Sequence, residues 1–151
     1  MKAVHALLNK YLSKFKLNIQ FTEAEVAHFL LPREWVIESF VCIDDDGKIT
    51  DFCSFYSLPS SVLKHPEHKI LNVAYSYYTV PGKFTPKELM ENVLIAAKNK
   101  GYDVFNCLDI QENKSFLEEL KFGVGDGNLH YYFYNWRVQK LQPEDCGIVL
   151  V

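Results

Sequence analysis

The strongest constraint on the fold of this chain is a helix-start signal that occurs twice, once on each side of a stretch rich in aromatic and β-branched residues. Each copy has a threonine, a glutamate three residues later, and apolar residues at both ends. The copies are Phe21-Thr-Glu-Ala-Glu-Val26 and Phe84-Thr-Pro-Lys-Glu-Leu89. The threonine and glutamate form a capping box, and the outer apolar residues can meet as a hydrophobic staple. We predict a helix after each signal, the first closed by Pro32 and the second ending near Gly101.

Strand-like runs fill much of the remaining chain, which opens with an amphipathic helix over residues 4–15. The runs 36–43 and 49–58 are joined by Asp44-Asp-Asp-Gly-Lys48, and an Asp-Gly step between such runs predicts a hairpin. Further predicted elements are strands at 70–80, 102–110, 129–136 and 146–151 and a short helix at 112–120. This order predicts an α/β layer with a mixed sheet. Because no linker or repeat is visible, we expect residues 1–151 to form one domain.

Composition excludes several classes of protein. The formal net charge is -3, so the chain lacks the basic character that nonspecific nucleic-acid binding requires. No apolar run approaches the roughly 20 residues of a membrane span, and the first residues do not resemble a secretory signal. The four cysteines contain no CxxC pair, which predicts buried, reduced thiols and a cytoplasmic protein.

Two candidate metal sites are weak. The aspartates at positions 44–46 are consecutive, whereas a calcium loop needs alternating acidic residues and a distal glutamate. His65 and His68 are separated by Pro66, which argues against a helix that would aim both rings at one ion. We therefore predict a solvated hairpin tip, a surface loop and no metal site.

The residues alone leave two features open. Gly123-Val-Gly-Asp-Gly127 follows a helix and leads into a strand, the reverse of a phosphate cradle, so nucleotide binding is disfavoured. Asp126 either caps a tight turn there or contacts a ligand. The chain ends in Gly147-Ile-Val-Leu-Val151, which either completes a sheet, marks a truncation, or brings its α-carboxylate to the lip of a pocket. In a pocket, desolvation raises the pKa of a carboxylate and makes it a better proton acceptor.

The same segments closely resemble the C-terminal half of N-myristoyltransferase. The resemblance covers nearly the whole chain and is carried by Asp51–Ser60, Ala74–Tyr78, Asp103–Asp109, Glu112–Trp136 and Gly147–Val151. It implies an acyltransferase that moves myristate from myristoyl-CoA to the N-terminal glycine amine of a protein. It also implies two halves of GNAT-like α/β fold, the first holding acyl-CoA and the second forming much of the peptide groove.

Because the chain is similar only to the second half, the resemblance implies that this half binds no cofactor. Myristoyl-CoA would be the co-substrate of the full enzyme. The expected partners are peptides with an N-terminal glycine and the absent first half. A piece separated from that first half should expose an apolar patch.

The resemblance also implies roles for individual residues. The α-carboxylate of Val151 would be the catalytic base, although valine stands where leucine or glutamine is common in the family. Asp126 and Gly127 would contact a serine near the fifth residue of the substrate. The remaining groove positions are Ser60, Leu71, Tyr75, Asn106, Leu129 and Leu150. Ser60 would offer a hydrogen bond, whereas Leu71, Tyr75 and Leu129 fit groove walls and core positions equally well.

Two alternatives remain at this point. The chain could be a non-catalytic fragment that binds peptides, or a self-sufficient small acyltransferase of GNAT type. The second alternative is disfavoured because the sequence shows no glycine turn from strand to helix for the CoA pyrophosphate.

Overall fold

The computed structural model of the chain describes residues 1–150. It contains a four-stranded sheet with helices on both faces and a separate two-stranded sheet. The elements in chain order are α1 (Lys2–Leu12), α2 (Glu23–Leu30), β1 (Ile37–Ile43), β2 (Ile49–Ser57), β3 (Ser60–Ser61), β4 (Ile70–Leu71), β5 (Val73–Val80), α3 (Pro86–Asn99), β6 (Val104–Asn106), α4 (Lys114–Leu117) and a 3₁₀ turn at Pro143–Asp145.

Both predicted capping boxes are present. In α2, Thr22 Oγ1 accepts a hydrogen bond from the Glu25 N–H at 3.2 Å, and the Thr22 N–H donates to Glu25 Oε2 at 2.7 Å. Thr85 and Glu88 form the same reciprocal pair at the start of α3. Because each box satisfies N–H groups that have no partner inside the helix, it fixes where the helix begins.

The main sheet is mixed, as predicted, with strand order β1-β2-β5-β6. Strands β1 and β2 form the predicted antiparallel hairpin, β2 and β5 are also antiparallel, and β5 and β6 are parallel. At the hairpin tip, Gly47 adopts a φ of 78°, and Asp44 Oδ1 accepts the N–H groups of Asp46 and Lys48. The aspartate cluster therefore begins with a residue that stabilises the turn.

The predicted strand over residues 70–80 is divided in two. Residues 70–71 pair with Ser60–Ser61, and Val73–Val80 joins the main sheet. Between them, the backbone N–H of Asn72 donates to Asp103 Oδ2 at 2.9 Å, and its carbonyl accepts the Asp103 N–H at 2.8 Å. Because the backbone N–H and carbonyl of Asn72 both bind Asp103, the strand is interrupted at this residue. The predicted strand over 102–110 is shortened to Val104–Asn106.

Two predicted strands are wrong within the part of the chain that the structure describes. Residues 129–136 pair with no strand, and the side chains of Tyr132 and Tyr134 are 88% and 92% exposed. Asn135 has a φ of 55°, which interrupts an extended backbone. Of residues 146–150, Cys146 alone forms a β-bridge, with Leu17. Aromatic and β-branched residues favour strands only where a partner strand and a face are available.

The core lies on both faces of the main sheet. One cluster joins α1 and α2 to the sheet and includes Leu8, Leu12, Val26, Phe52 and Tyr78. The other joins α3 and α4 to the opposite face and includes Phe55, Leu89, Met90, Val93 and Phe116. Helices therefore cover both faces of the mixed sheet, and the predicted α/β fold is confirmed.

Candidate functional site

The C-terminal segment crosses the α1 side of the molecule and is bound to the linker between α1 and α2. The Leu17 N–H donates to the Asp145 carbonyl at 3.0 Å, and the Gly147 N–H donates to the Leu17 carbonyl at 2.7 Å. Lys16 Nζ lies 3.0 Å from Asp145 Oδ1. A Cβ at Gly147 would lie 2.8 Å from Phe15 Cδ2, so only glycine fits this close approach.

Two tyrosines hold the segment after Gly147. Tyr131 Oη donates to the Ile148 carbonyl at 2.8 Å, and the Val149 N–H donates to Tyr78 Oη at 3.3 Å. The side chain of Val149 is buried, whereas Leu150 is 59% exposed. The segment therefore runs out of the core at its last described residue, and predicted site residue Val151 lies outside the described range.

The two tyrosines belong to a larger cluster on the same side of the sheet. Tyr56 stacks on Tyr75 with ring centroids 5.3 Å apart and an interplanar angle of 15°, and Tyr77 meets Tyr56 edge-on at 5.9 Å. The rings of Tyr77 and Tyr78 lie 4.6 Å apart. Burial, and next the neighbouring Tyr56, raise the pKa of Tyr77 to about 12. Its hydroxyl is therefore neutral near pH 7.

Four predicted groove residues lie on strands, two of them beside this cluster and two in the separate two-stranded sheet. Tyr75 is half-buried and pairs with Tyr56 on one side and with Asn106 on the other. Asn106 is exposed at the end of β6. Ser60 pairs with Leu71 in the two-stranded sheet, with Ser60 exposed and Leu71 half-buried. Hydroxyl, amide and aromatic groups beside exposed strand ends suit the binding of an extended peptide.

The glycine-rich loop contributes the remaining predicted positions. Asp126, Gly127 and Leu129 are all exposed, and Leu129 is 56% exposed. Within residues 1–150 the side chain of Asp126 makes no hydrogen bond that would identify it as a turn cap. The structure therefore brings Tyr75, Asn106 and the C-terminal segment close to one tyrosine cluster and leaves these loop residues accessible.

Apolar side chains are also exposed in the segment that follows this loop. Large apolar side chains are exposed along the segment that follows the loop: Leu129, Tyr132, Tyr134, Trp136 and Val138. Isolated exposed apolar residues are common, but a run of this length is typical of an interaction surface.

The turn between β5 and α3 corrects one sequence-based expectation. A glycine turn from strand to helix is present after all, because Gly82 lies between Val80 and the start of α3. Its N–H and that of Phe84 donate to Asp51 Oδ1 at 2.7 and 3.0 Å. A Cβ at Gly82 would lie 2.0 Å from the Thr50 carbonyl oxygen, so the turn packs directly on β2. An internal carboxylate thus occupies the N–H groups that a phosphate would need.

The four thiols do not form a nucleophilic site. All are free cysteines, and burial raises the pKa of Cys53 and Cys107 to about 12. A protonated thiol is a poor nucleophile. Within residues 1–150, no three His, Cys, Asp or Glu side chains converge as a metal-binding group. None of the helices in the same range combines the length and apolar character that a membrane span requires.

Sequence reasoning missed the contacts of Tyr56, Tyr78 and Tyr131. All three are aromatic residues in strand-like runs, a pattern that predicts core packing. The hydroxyl partners of Tyr78 and Tyr131, and the ring on which Tyr56 stacks, are distant in the sequence. The pattern itself therefore carries no signal of these contacts.

Comparison with known proteins connects this geometry to one family. The family model "Myristoyl-CoA:protein N-myristoyltransferase, C-terminal domain" matches residues 1–149. Glycylpeptide N-tetradecanoyltransferase 2 from Bos taurus is 53% identical over 150 residues, which cover 99% of this chain and 30% of that protein. Glycylpeptide N-tetradecanoyltransferase 1 from Arabidopsis thaliana is 50% identical over 151 residues, which cover 99% of this chain and 35% of that protein. The chain thus spans about a third of the length of these curated relatives.

Solved structures agree in fold. The crystal structure of Saccharomyces cerevisiae N-myristoyltransferase with bound myristoyl-CoA superposes with a TM-score of 0.76 and 39% sequence identity. The match covers 83% of this chain and 34% of the yeast chain. An acetyltransferase from Trypanosoma brucei matches with a TM-score of 0.60 over 87% of this chain and 92% of its own, at 16% identity. The second likeness shows the fold alone. The prediction of a GNAT-like α/β fold is confirmed.

Proposed function

Because the chain belongs to the C-terminal domain family of the myristoyl-CoA:protein N-myristoyltransferases, we propose that it is the C-terminal half of an acyltransferase acting on protein N-termini. The enzyme transfers myristate from myristoyl-CoA to the amine of an N-terminal glycine, in the cytoplasm. The match of the family model to residues 1–149 carries this proposal.

This half forms much of the peptide groove. Tyr75, Asn106 and the exposed Leu150 lie around the tyrosine cluster and contribute walls and an amide to an extended peptide. Asp126 and Gly127 on the accessible loop contact a serine near the fifth substrate residue. The other groove positions are Ser60, Leu71 and Leu129. Their exposed or half-buried placement supports contact with a peptide.

The α-carboxylate of Val151 is the proposed base. It takes a proton from the ammonium group of the substrate glycine, because the nitrogen has no free lone pair until that proton leaves. The freed amine attacks the thioester carbonyl of myristoyl-CoA; an amide bond forms, the C–S bond breaks, and coenzyme A leaves. The exposure of Leu150, the last described residue, supports this assignment.

Myristoyl-CoA is held by the other half. The turn before α3 is the natural place for a CoA phosphate in this chain, since N–H groups at a helix N-terminus bind anions. Asp51 already accepts the N–H groups of Gly82 and Phe84 there, and a pyrophosphate brought to that turn would be repelled by the carboxylate. The exposed apolar run after residue 128 supports a contact surface for the absent half.

The test is acyl transfer from myristoyl-CoA to a glycine-led peptide with serine at its fifth position. The chain is assayed alone and as a fusion behind the N-terminal two thirds of the Bos taurus relative. We expect transfer by the fusion only. A fusion with one glycine added after Val151 is the matched control for the base and should be inactive. An inactive fusion, with its folding verified by circular dichroism, would contradict the proposal.

One observation favours a second candidate, a self-sufficient small acyltransferase: the chain covers 92% of the Trypanosoma brucei acetyltransferase in fold. Transfer by the chain alone, with binding of CoA in a calorimetric titration, would establish that candidate. Peptide binding without transfer, by the chain and the fusion alike, would instead identify a non-catalytic peptide-binding fragment.

A further inference from the structure

A single peptide unit near the end of the described chain is held at both of its polar ends by side chains. The carbonyl of Ile148 and the N–H of Val149 belong to the same planar unit. Tyr131 Oη donates to the carbonyl at 2.8 Å, and Tyr78 Oη accepts from the N–H at 3.3 Å. The Cys146 thiol adds a longer contact to the same carbonyl, with 3.7 Å between sulfur and oxygen.

These side-chain contacts begin where the backbone hydrogen bonds of the C-terminal segment end. Leu17 binds the segment through Asp145 and Gly147. After Gly147, no backbone group within residues 1–150 binds the segment. The orientation of the Ile148–Val149 unit therefore depends on the two phenolic hydroxyls.

Tyr78 is itself firmly placed in the core. Tyr78 is 1% exposed and meets Phe21 edge-on at 5.5 Å. Burial raises the pKa of Tyr78 and of Tyr131. Both hydroxyls therefore stay neutral at the pH of an assay and keep their hydrogen bonds.

We propose that Tyr78 and Tyr131 are positioning residues that orient the last residues of the chain, and with them the α-carboxylate of Val151, toward the substrate amine. This inference rests on the proposed function. The Ile148–Val149 unit lies two residues before the proposed base, so a change in its plane redirects the chain that follows it. A misplacement of about 1 Å at a reacting group can lower the rate about a hundredfold.

The experiment replaces each tyrosine by phenylalanine in the active fusion, which keeps the ring and removes only the hydroxyl. We expect Tyr78→Phe and Tyr131→Phe each to lower kcat about tenfold, with the KM for myristoyl-CoA unchanged. Because both hydroxyls hold one peptide unit, the double variant should lose less than the product of the two single losses. Faster hydrogen exchange at the Val149 amide in Tyr78→Phe would report the released unit directly.

Tyr11→Phe is the matched control. Tyr11 is buried and donates to Glu112 Oε2 at 2.9 Å, so this variant loses a comparable hydrogen bond without touching the C-terminal segment. Its kcat should equal that of the parent fusion, even where its Tm falls. If Tyr78→Phe is too unstable to assay, Tyr131→Phe decides alone, because its ring is only half-buried.

The addition of one glycine after Val151 separates this inference from the proposed function. If that extension abolishes transfer while both tyrosine variants keep kcat within twofold, the positioning role is wrong and the base assignment stands. If the extension leaves kcat unchanged, the base assignment fails, and the positioning role fails with it.

Discussion

Removal of the Asp51 carboxylate tests whether the turn between β5 and α3 depends on one buried charge. Asp51 is fully buried on β2, and its Oδ1 accepts the N–H groups of Gly82 and Phe84. Its Oδ2 has no hydrogen-bond partner among the described residues. One oxygen of Asp51 therefore joins the sheet to the start of a long helix across 31 positions of sequence.

The expected loss of stability follows from these two bonds. A hydrogen bond to a charged acceptor contributes about 1.5–3 kcal/mol, and water reaches the exposed Gly82, which favours the lower end of that range. Asp51→Ala should therefore lower the free energy of unfolding by about 3 kcal/mol, equivalent to about 6–12 °C in Tm for a chain of this size. Asp51→Asn keeps an acceptor oxygen and should lose about 1–2 kcal/mol.

The pH dependence has a definite sign. Burial by itself raises the pKa of Asp51, but the Thr50 hydroxyl and the N–H groups of Gly82 and Phe84 favour the charged form and lower the pKa below its usual value. A lowered pKa in the folded state adds stability above the unfolded pKa of about 3.9, and this stability is lost as the pH falls through the folded pKa. The advantage of the parent chain over Asp51→Asn should therefore be complete at pH 7 and shrink below about pH 4.

Urea unfolding followed by circular dichroism measures these differences at pH 7 and between pH 4 and pH 3. Asp45→Asn, at the exposed hairpin tip, is the control and should change stability by less than about 0.5 kcal/mol. The reasoning would be refuted by an Asp51→Ala variant as stable as the parent chain. If the stability advantage of the parent chain over Asp51→Asn grows as the pH falls, the expected direction of the pH dependence is wrong.

Three further perturbations test local features. Gly147→Ala should destabilise the chain by about 1–3 kcal/mol, because the added Cβ would lie 2.8 Å from the buried ring of Phe15. Gly123→Ala is the control and should have little effect, because a Cβ there meets no atom within 4 Å. Thermal unfolding of both variants checks this. Thr85→Ala removes a helix cap and should cost about 1 kcal/mol in urea unfolding, and equal stability would contradict the cap. Cys53 is buried, and burial raises its pKa to about 12, so it should resist a maleimide at pH 8 in the folded chain and react after denaturation; rapid labelling of Cys53 in the folded protein would contradict its burial.

The elements predicted correctly are those whose determinants are local. The helices after Thr22 and Thr85 are fixed by residues within one turn, and the hairpin by the Asp-Gly step before Lys48. Each of these signals contains both partners of the interaction that it predicts. A reading of the sequence alone therefore places the helices and the hairpin.

The strand predictions that fail depend on distant partners. The run 70–80 contains no break in its own pattern; the division at Asn72 arises because Asp103, 31 positions away, binds its backbone. The run 129–136 is rich in the aromatic residues that favour strands, but no described strand lies beside it. Strand propensity describes how well a residue suits a pleated surface, and it cannot supply the neighbouring strand.

The residues of the candidate site also depend on distant partners, so the sequence pattern alone could not identify them. The groove positions were identified by resemblance, since Tyr75 and Asn106 have no spacing that marks them as a pair before the sheet aligns β5 with β6. In the run 129–136, which was predicted as a strand, Tyr131 alone is half-buried, and both Tyr132 and Phe133 are exposed, so burial does not alternate as it does in a strand. What the Tyr131 hydroxyl meets is the Ile148 carbonyl, 17 positions later, and not a neighbouring strand. A sequence pattern describes how well side chains suit a strand and does not show which distant group a side chain meets.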